Sequence, residues 1–178
     1  MIRIVIGIIV NTFAFTVFAN AQSPYAGQEA REIKALSQSE IDDYLSGKGM
    51  GYAKAAELNH YPGPRHVLDL AIQLELTQEQ TKQTQKLFDL MKESATTLGK
   101  QLVEKERELD RLFASGSMDA DTLKVLLSDI GELQAKIRYV HLSAHLKQKT
   151  LLTRHQTMLY DQLRGYGTDH GDRHNHAH

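Results

Sequence analysis

Two five-residue segments bound the part of the chain that decides the fold. The first reads Leu76-Thr77-Gln78-Glu79-Gln80, and the second reads Leu152-Thr153-Arg154-His155-Gln156. In each of them a threonine stands three residues before a glutamine. This is the pattern of a capping box, in which the threonine hydroxyl accepts a hydrogen bond from the glutamine N–H and the glutamine side chain accepts one from the threonine N–H. The pattern predicts that one helix begins at Thr77 and another at Thr153.

The residues between these segments predict two long helices. Over residues 77–114 the apolar positions recur at intervals that keep them on one side of a helix, namely Leu87, Met91, Ala95, Leu98, Leu102, Leu109 and Leu112. After a break at Ser115-Gly116-Ser117, Asp119 is a good N-cap for the next helix. Its apolar stripe is Leu126, Ile130, Leu133, Ile137, Val140, Ala144 and Leu151. The two stripes predict a long antiparallel helical hairpin.

The rest of the chain predicts short helices around this hairpin. Helices are expected over residues 28–36, over residues 39–45 with Ser39 as the N-cap, over residues 52–58, and from Pro64 onward. Polar and apolar residues do not alternate as they do in strands, so the fold class is all-α. The expected organisation is an N-terminal tether with short helices over residues 22–48, a helical domain over residues 49–164 that ends in a C-terminal helix, and a disordered tail over residues 165–178.

The first 21 residues have the features of a secretory signal peptide. Arg3 is followed by an apolar run from Ile4 to Phe18 and then by Ala19-Asn20-Ala21, which fits an A-x-A cleavage site. The run is shorter than the roughly 20 residues that a membrane-spanning helix needs. We expect cleavage after Ala21, a periplasmic location and no stable membrane insertion afterwards. The alternative is an uncleaved membrane anchor.

Composition excludes several functions. The 178 residues include 21 Lys and Arg against 22 Asp and Glu, so no basic excess indicates nucleic-acid binding. Cysteine is absent, so stability has to come from packing or self-association rather than from disulfides. The sequence contains no G-x-S-x-G, P-loop or H-E-x-x-H motif, and we expect no enzymatic activity.

Paired Leu-Thr-x-x-Gln segments around a long helical hairpin, behind a signal peptide and without cysteine, resemble the Spy/CpxP family, also called LTxxQ-motif proteins. The stretch from Gly49 to Leu68 resembles the branch described as periplasmic heavy-metal sensor or resistance proteins. The resemblance covers about Gly49 to Leu163. It implies a small periplasmic helical protein, often an antiparallel dimer shaped like a cradle. Members act as ATP-independent chaperones, as repressors of envelope-stress sensor kinases or as metal-responsive sensors.

A pair of histidines on the second long helix is the candidate metal site. His141 and His145 stand four residues apart and therefore project from the same side of a helix. The helical pattern places both on the polar flank of the stripe, with Gln134, Arg138 and Gln148. The pair is able to hold one divalent ion if another helix or another subunit adds a third ligand, for which His155, or His60 and His66, are candidates. The alternative is that both histidines bond only to neighbours or to water.

The tail contains four further histidines within its last nine residues: His170, His174, His176 and His178. A tract of this kind binds Zn²⁺, Cu²⁺ or Ni²⁺ weakly through flexible multidentate contacts. The pattern predicts metal buffering rather than a stoichiometric site. No cofactor is required by the sequence, and Zn, Ni and Cu are the ions that these histidines fit.

The second long helix is apolar on two sides near its end. Tyr139, Leu142 and Leu146 lie opposite the main stripe. A helix that is apolar on opposite sides is buried on both or presents a binding surface. The short helices or a second subunit are the candidates to cover these residues, and we favour a homodimer contact.

Two functional hypotheses follow from the resemblance and the residues. The first is a periplasmic Spy/CpxP-like stress-response protein, of the ATP-independent chaperone type, that binds unfolded envelope proteins or a membrane-bound regulator. The alternative is a periplasmic heavy-metal sensor or resistance protein that binds Zn, Ni or Cu through helix-borne and tail histidines. Neither involves catalysis.

Overall fold

The computed structural model describes residues 23–166. The predicted signal peptide and the four tail histidines lie outside the described residues. Contacts divide the chain between Ala30 and Arg31. The first unit consists, from residue 23, of turns, in one of which the Ala26 N–H donates to the Ser23 carbonyl oxygen at 3.1 Å. The second unit contains all of the helices.

Within the described residues the second unit consists of helices and turns, which confirms the all-α class. The helices are α1 (Gln38–Leu45), α2 (Lys54–Glu57), α3 (Pro64–Asp69), α4 (Gln78–Ala114), α5 (Ala120–Leu151) and α6 (Arg154–Leu163). Two of them, α4 and α5, are long and pack against each other. Over residues 23–166, none of the helices combines the length and the apolar character that crossing a bilayer requires.

Local capping sets the ends of the long helices as the sequence predicts. Thr77 is the N-cap of α4 and forms the full capping box with Gln80. Asp119 is the N-cap of α5, and its Oδ1 accepts from the Thr122 N–H at 2.8 Å. The helix α4 ends at Ala114, just before Gly116, whose φ of +68° favours glycine because it lacks a Cβ.

The two long helices pack through the predicted stripes. Leu102 of α4 forms a buried cluster with Ile130, Leu133 and Ile137 of α5. Toward the start of α4, the Gln148 side chain donates to the Thr84 hydroxyl at 3.1 Å inside the interface. The contacts between α4 and α5 are the most extensive between any two of the described helices.

The short helices cover the long pair. Helices α1 and α3 pack on α4, whereas α2 and α3 pack on α5. The end of α1 approaches α4 so closely that a Cβ at Gly99 would lie 2.2 Å from the Tyr44 carbonyl oxygen. Ile33 and Ile41 form a second buried cluster with Val103. Within the described residues, α1, α2 and α3 therefore pack on the long helices.

Two predictions for the N-terminal segment are wrong. Residues 28–36 form turns and bends rather than a helix. One reason is that the Lys34 N–H donates to the Asp110 carboxylate at 3.1 Å instead of to a helical carbonyl oxygen. The N-cap of α1 is Ser37 and not Ser39. Glu40 stands three residues after Ser37 and completes a capping box with it, which Ser39 has no equivalent residue to do.

Candidate functional site

The two predicted capping boxes meet in the folded chain. The side chain of Gln80 donates to Gln156 Oε1 at 2.8 Å, and the side chain of Gln156 donates to Gln80 Oε1 at 3.1 Å. We call these two residues the glutamine pair. Each amide also donates to a carbonyl oxygen outside its own box, Gln80 to Leu151 at 2.9 Å and Gln156 to Leu74 at 3.1 Å. The glutamine pair therefore joins the start of α4 to the start of α6.

The leucines of the two boxes belong to one cluster. Leu76 and Leu152 pack against a core of Val67, Leu74 and Tyr160. The six predicted motif residues are thus brought to one place, although the two glutamines are 76 positions apart in sequence. Since Gln156 and Tyr160 are buried, this region anchors α6 to α3 and to the start of α4.

A cavity of about 750 Å³ opens beside α5. Three histidines and one glutamate line it, namely Glu57, His66, His141 and His145. We call it the histidine pocket. The glycine-rich turn over residues 47–51 forms another wall, while Lys54 and Lys92 bring positive charge and Phe88 brings apolar surface to the lining. The pocket places the predicted histidine pair next to residues from α2 and α3.

His145 is held in one orientation by the backbone. Its Nδ1 lies 2.7 Å from the Tyr61 carbonyl oxygen. A carbonyl oxygen only accepts, so Nδ1 carries a proton and donates it to Tyr61. The ring also faces Gly63, where a Cβ would lie 2.8 Å from Cε1 and 3.0 Å from Nε2. Glycine at position 63 therefore permits the close approach of this ring, which a side chain there would obstruct.

His141 is buried, with 3% of its surface exposed, and its ring is stacked on Tyr52. Within the described part of the chain its Nε2 has no hydrogen-bond partner. Burial, and then the proximity of His145, lowers the pKa of His141. Burial and Arg164 likewise lower the pKa of His66. Both rings are thus biased toward the neutral form, which is the form that ligates metal ions.

The prediction that His141 and His145 lie on a polar flank is wrong. Both are buried, and so is Gln148, whereas Gln134 and Arg138 are exposed as predicted. The reason is tertiary: α2, α3 and the segment between them cover this side of α5. The periodicity of the α5 sequence does not reveal which other elements pack on this side of the helix, so it could not predict the burial of the two histidines.

Glu57 is a pocket residue that sequence analysis missed. Its Oε1 accepts hydrogen bonds from the Tyr160 hydroxyl at 2.6 Å and the Tyr166 hydroxyl at 3.2 Å, and Arg164 Nε lies 3.4 Å away. Its Oε2 has no hydrogen-bond partner among residues 23–166 and lies 3.6 Å from His145 Nδ1. In the sequence, Glu57 resembles any solvent-facing glutamate of an alanine-rich helix, so no local signal marks it.

The candidates for an added ligand are separated by the fold. His66 lines the histidine pocket. His60 instead pairs with Asp161, with Nδ1 2.9 Å from Oδ2, and His155 is exposed at the start of α6. As placed, no three His, Asp or Glu side chains of residues 23–166 are close enough together to share an ion. The histidine pocket therefore contains candidate donors that are not arranged as a three-residue metal site.

The predicted partner surface on α5 is largely uncovered. Tyr139 is 71% exposed and Leu146 is 56% exposed, whereas Leu142 is half-buried. Within the described residues the short helices therefore do not cover these side chains. Val125 and Leu127 add exposed apolar area closer to the start of α5.

Comparisons of the chain with protein-family models, with curated proteins and with solved structures find no match.

Proposed function

We propose that this chain is a non-enzymatic, Spy/CpxP-like periplasmic protein of the heavy-metal sensor or resistance kind, which binds Zn, Ni or Cu in the histidine pocket. The observation that carries the proposal is that two buried histidines and one glutamate line a single cavity. Imidazole nitrogen suits all three metals.

The state of each donor supports metal binding. A buried polar atom without a partner costs free energy, so His141 Nε2 and Glu57 Oε2 favour a ligand that satisfies them. His145 donates its other ring N–H to a backbone carbonyl oxygen, which is the arrangement that orients ligating histidines in metal sites. A cation bound by these residues would tie α5 to α2.

The family assignment and the finer architecture are part of the same proposal. The glutamine pair gives the two Leu-Thr-x-x-Gln segments one shared structural role, which supports the LTxxQ resemblance. Thr84 pairs with Gln148, and Lys105 pairs with Asp129 at 3.0 Å. Because early residues of α4 contact late residues of α5, these pairs support an antiparallel hairpin. A cradle-shaped dimer and export to the periplasm complete the proposal.

Calorimetric titration of the chain without residues 1–21 tests this function. With Zn²⁺, Ni²⁺ or Cu²⁺ we expect one tight site that is lost in His141→Ala and in His145→Ala. His155→Ala is the matched control, because His155 is exposed on a neighbouring helix. Replacement of the four tail histidines by alanine is expected to leave the tight site intact. Binding that disappears with the tail histidines alone would contradict the proposal.

A second candidate function is favoured by the exposed apolar side chains of α5. Tyr139 and Leu146 present apolar surface of the kind that marks protein-binding sites. In this alternative the protein is an ATP-independent chaperone that holds unfolded envelope proteins, or it binds a membrane-bound regulator. In a homodimer, a second copy of the chain would cover the same residues.

An aggregation assay with an unfolding client protein separates the two functions. For the chaperone we expect protection that is indifferent to Zn²⁺ and to His141→Ala but is weakened by Leu146→Ser. Ser128→Ala, on the same helix and already small and exposed, serves as the control. Protection that requires the metal would favour the sensor, and absence of protection would reject the chaperone.

A further inference from the structure

The histidine pocket is much larger than a single ion needs. Its volume is about 750 Å³, whereas a water molecule takes up about 30 Å³ and cavities of about 300–1,000 Å³ hold small organic molecules. Residues of α2, α3, α4 and α5 line it together with the glycine-rich turn. A cation bound by the histidines would leave most of this volume open to an organic ligand.

Part of the lining is apolar and only partly covered by the fold. Phe88 and Met91 of α4 belong to this part. Met50 of the glycine-rich turn and Tyr166, which follows α6, complete it. All four side chains are half-buried. Methionine side chains are flexible and adapt to the shape of a neighbouring molecule. Burial of these four side chains under an apolar ligand would therefore favour binding.

The two carboxylates in the lining are offset by cations of the fold. Asp43 Oδ1 lies 2.5 Å from Lys48 Nζ. Glu57 Oε1 accepts from the Tyr160 hydroxyl and lies 3.4 Å from Arg164 Nε. The acidic residues of the lining therefore do not leave it with a negative excess.

Two lysines of the lining are left without an anionic partner. None of the ion pairs among residues 23–166 involves Lys54 of α2 or Lys92 of α4. Both are exposed, so they stand on the solvent side of the cavity. Arg65 of α3 pairs with Asp69 and also lies over the ring of Phe88, at 5.9 Å from its centroid. Positive charge therefore borders the apolar part of the lining, and it attracts an anion.

We infer that the histidine pocket binds a small organic anion of the medium-chain carboxylate class, whose charged group pairs with Lys54 and Lys92 while its apolar body covers the half-buried side chains. This inference goes beyond the proposed metal binding and does not depend on it. An inorganic anion would gain nothing from the apolar part of the lining, and an apolar cation would be repelled by the two lysines. The ligand therefore needs both a negative charge and an apolar body.

Methyl NMR of the methionines in the full, unmodified chain tests the location of the ligand. The probe is decanoate, and a chelator keeps metal ions out of the experiment. We expect saturable shifts of the methyl signals of Met50 and Met91, which line the histidine pocket. The signals of Met118 and Met158, which are not part of its lining, are expected to stay in place. Unmoved signals of Met50 and Met91, or equal shifts of all four, would overturn the inference.

Two further probes separate the charge from the apolar body. Decyltrimethylammonium keeps the ten-carbon chain and reverses the charge, whereas acetate keeps the carboxylate and lacks the chain. We expect decanoate to bind at least about tenfold more tightly than either probe. Its affinity is also expected to fall as NaCl is added, because salt screens exposed charges. Equal or tighter binding of decyltrimethylammonium would contradict an anion site, and equal binding of acetate would contradict the role of the apolar lining.

A pair of double variants tests the two lysines. Lys54→Gln combined with Lys92→Gln is expected to lower the affinity for decanoate about tenfold and to weaken its dependence on salt. Lys82→Gln combined with Lys124→Gln is the matched control, because these lysines are also exposed on long helices and lie outside the lining. Unchanged decanoate affinity in the first double variant would overturn the inference. Since decanoate binding is measured without metal and Zn²⁺ binding without decanoate, that result would leave the proposed function standing.

Discussion

At the scale of single residues, the side-chain amides of the glutamine pair do more than cap helices. Gln156 accepts from the Thr153 N–H, donates to the Leu74 carbonyl oxygen and exchanges hydrogen bonds with Gln80. Thr153 provides only the hydroxyl that accepts from the Gln156 N–H and its own backbone groups. Within this capping box, we therefore expect Gln156 to contribute more to the free energy of unfolding than Thr153.

Alanine variants within one box test this difference. Thr153→Ala is expected to cost about 1 kcal/mol, the usual cost of removing a cap. Gln156→Ala is expected to cost more, because it removes both hydrogen bonds with Gln80 and leaves the buried Leu74 carbonyl oxygen without its partner, at about 1–3 kcal/mol for that group. Urea unfolding measures both free energies. An equal or smaller loss in Gln156→Ala would contradict the shared role of the glutamine pair.

The buried ring of His141 predicts a pH dependence of stability. Its pKa is lowered in the folded state, so between that value and the unfolded value of about 6.5 the unfolded chain binds more protons. The stability that the neutral, buried His141 gives the folded chain is fully present above a pH of about 6.5. It is lost as the pH falls from there through the lowered pKa of the folded state. Two rings lie against His141: that of His145, which also lowers the pKa of His141, and the stacked ring of Tyr52.

A comparison at pH 7.5 and 5.5, without added metal, tests the sign. The native chain and His155→Gln are expected to lose more unfolding free energy on acidification than His141→Gln. His155 is exposed and serves as the control. Equal losses in all three proteins would show that His141 does not contribute.

At the scale of the elements, two helical glycines have opposite surroundings. A Cβ at Gly99 of α4 would lie 2.2 Å from the Tyr44 carbonyl oxygen, whereas a Cβ at Gly131 of α5 would meet nothing within 4 Å. Gly99 therefore permits the close contact between α1 and α4. At position 131, no neighbouring atom would be displaced by a larger side chain, so packing does not require glycine there.

The substitution of each glycine by alanine is expected to change stability in opposite directions. Alanine favours a helix by about 1 kcal/mol over glycine, so Gly131→Ala should raise the free energy of unfolding by about that amount. Gly99→Ala should lower it, because displacing backbone in a packed contact costs about 1–3 kcal/mol and exceeds the gain in propensity. Thermal unfolding measures both. Stabilisation by Gly99→Ala would contradict the observed contact.

An element was predictable from the sequence when the residues that fix it lie close together in the chain. The starts of α4, α5 and α6 depend on residues three positions apart, so Thr77, Asp119 and Thr153 were identified from sequence. Residues 28–36 depend on Asp110, which is distant in sequence, and their predicted helix is wrong. In the candidate site, the four-residue spacing of His141 and His145 predicted that both lie on the same side of α5. The burial of that pair and the part played by Glu57 arise from the packing of α2 and α3 on α5.

At the scale of the whole molecule, the proposal makes metal binding a source of stability. A ligand that binds only the folded state at 100 times its Kd adds about 2.7 kcal/mol to the free energy of unfolding. We expect Zn²⁺ to raise the Tm of the native chain and to leave that of His145→Ala nearly unchanged. Replacing the four tail histidines by alanine in both proteins removes metal binding by the tail. A rise of Tm in His145→Ala equal to that of the native chain would contradict the proposal.

The central claim is that the histidine pocket binds a divalent cation through side chains from separate elements. X-ray absorption spectroscopy of the Zn²⁺-loaded chain, with the four tail histidines replaced by alanine, tests it most directly. We predict imidazole nitrogens at about 2.0–2.1 Å together with carboxylate oxygen at about 2.0–2.2 Å from the metal. A spectrum with oxygen neighbours alone and no imidazole scattering would contradict the account.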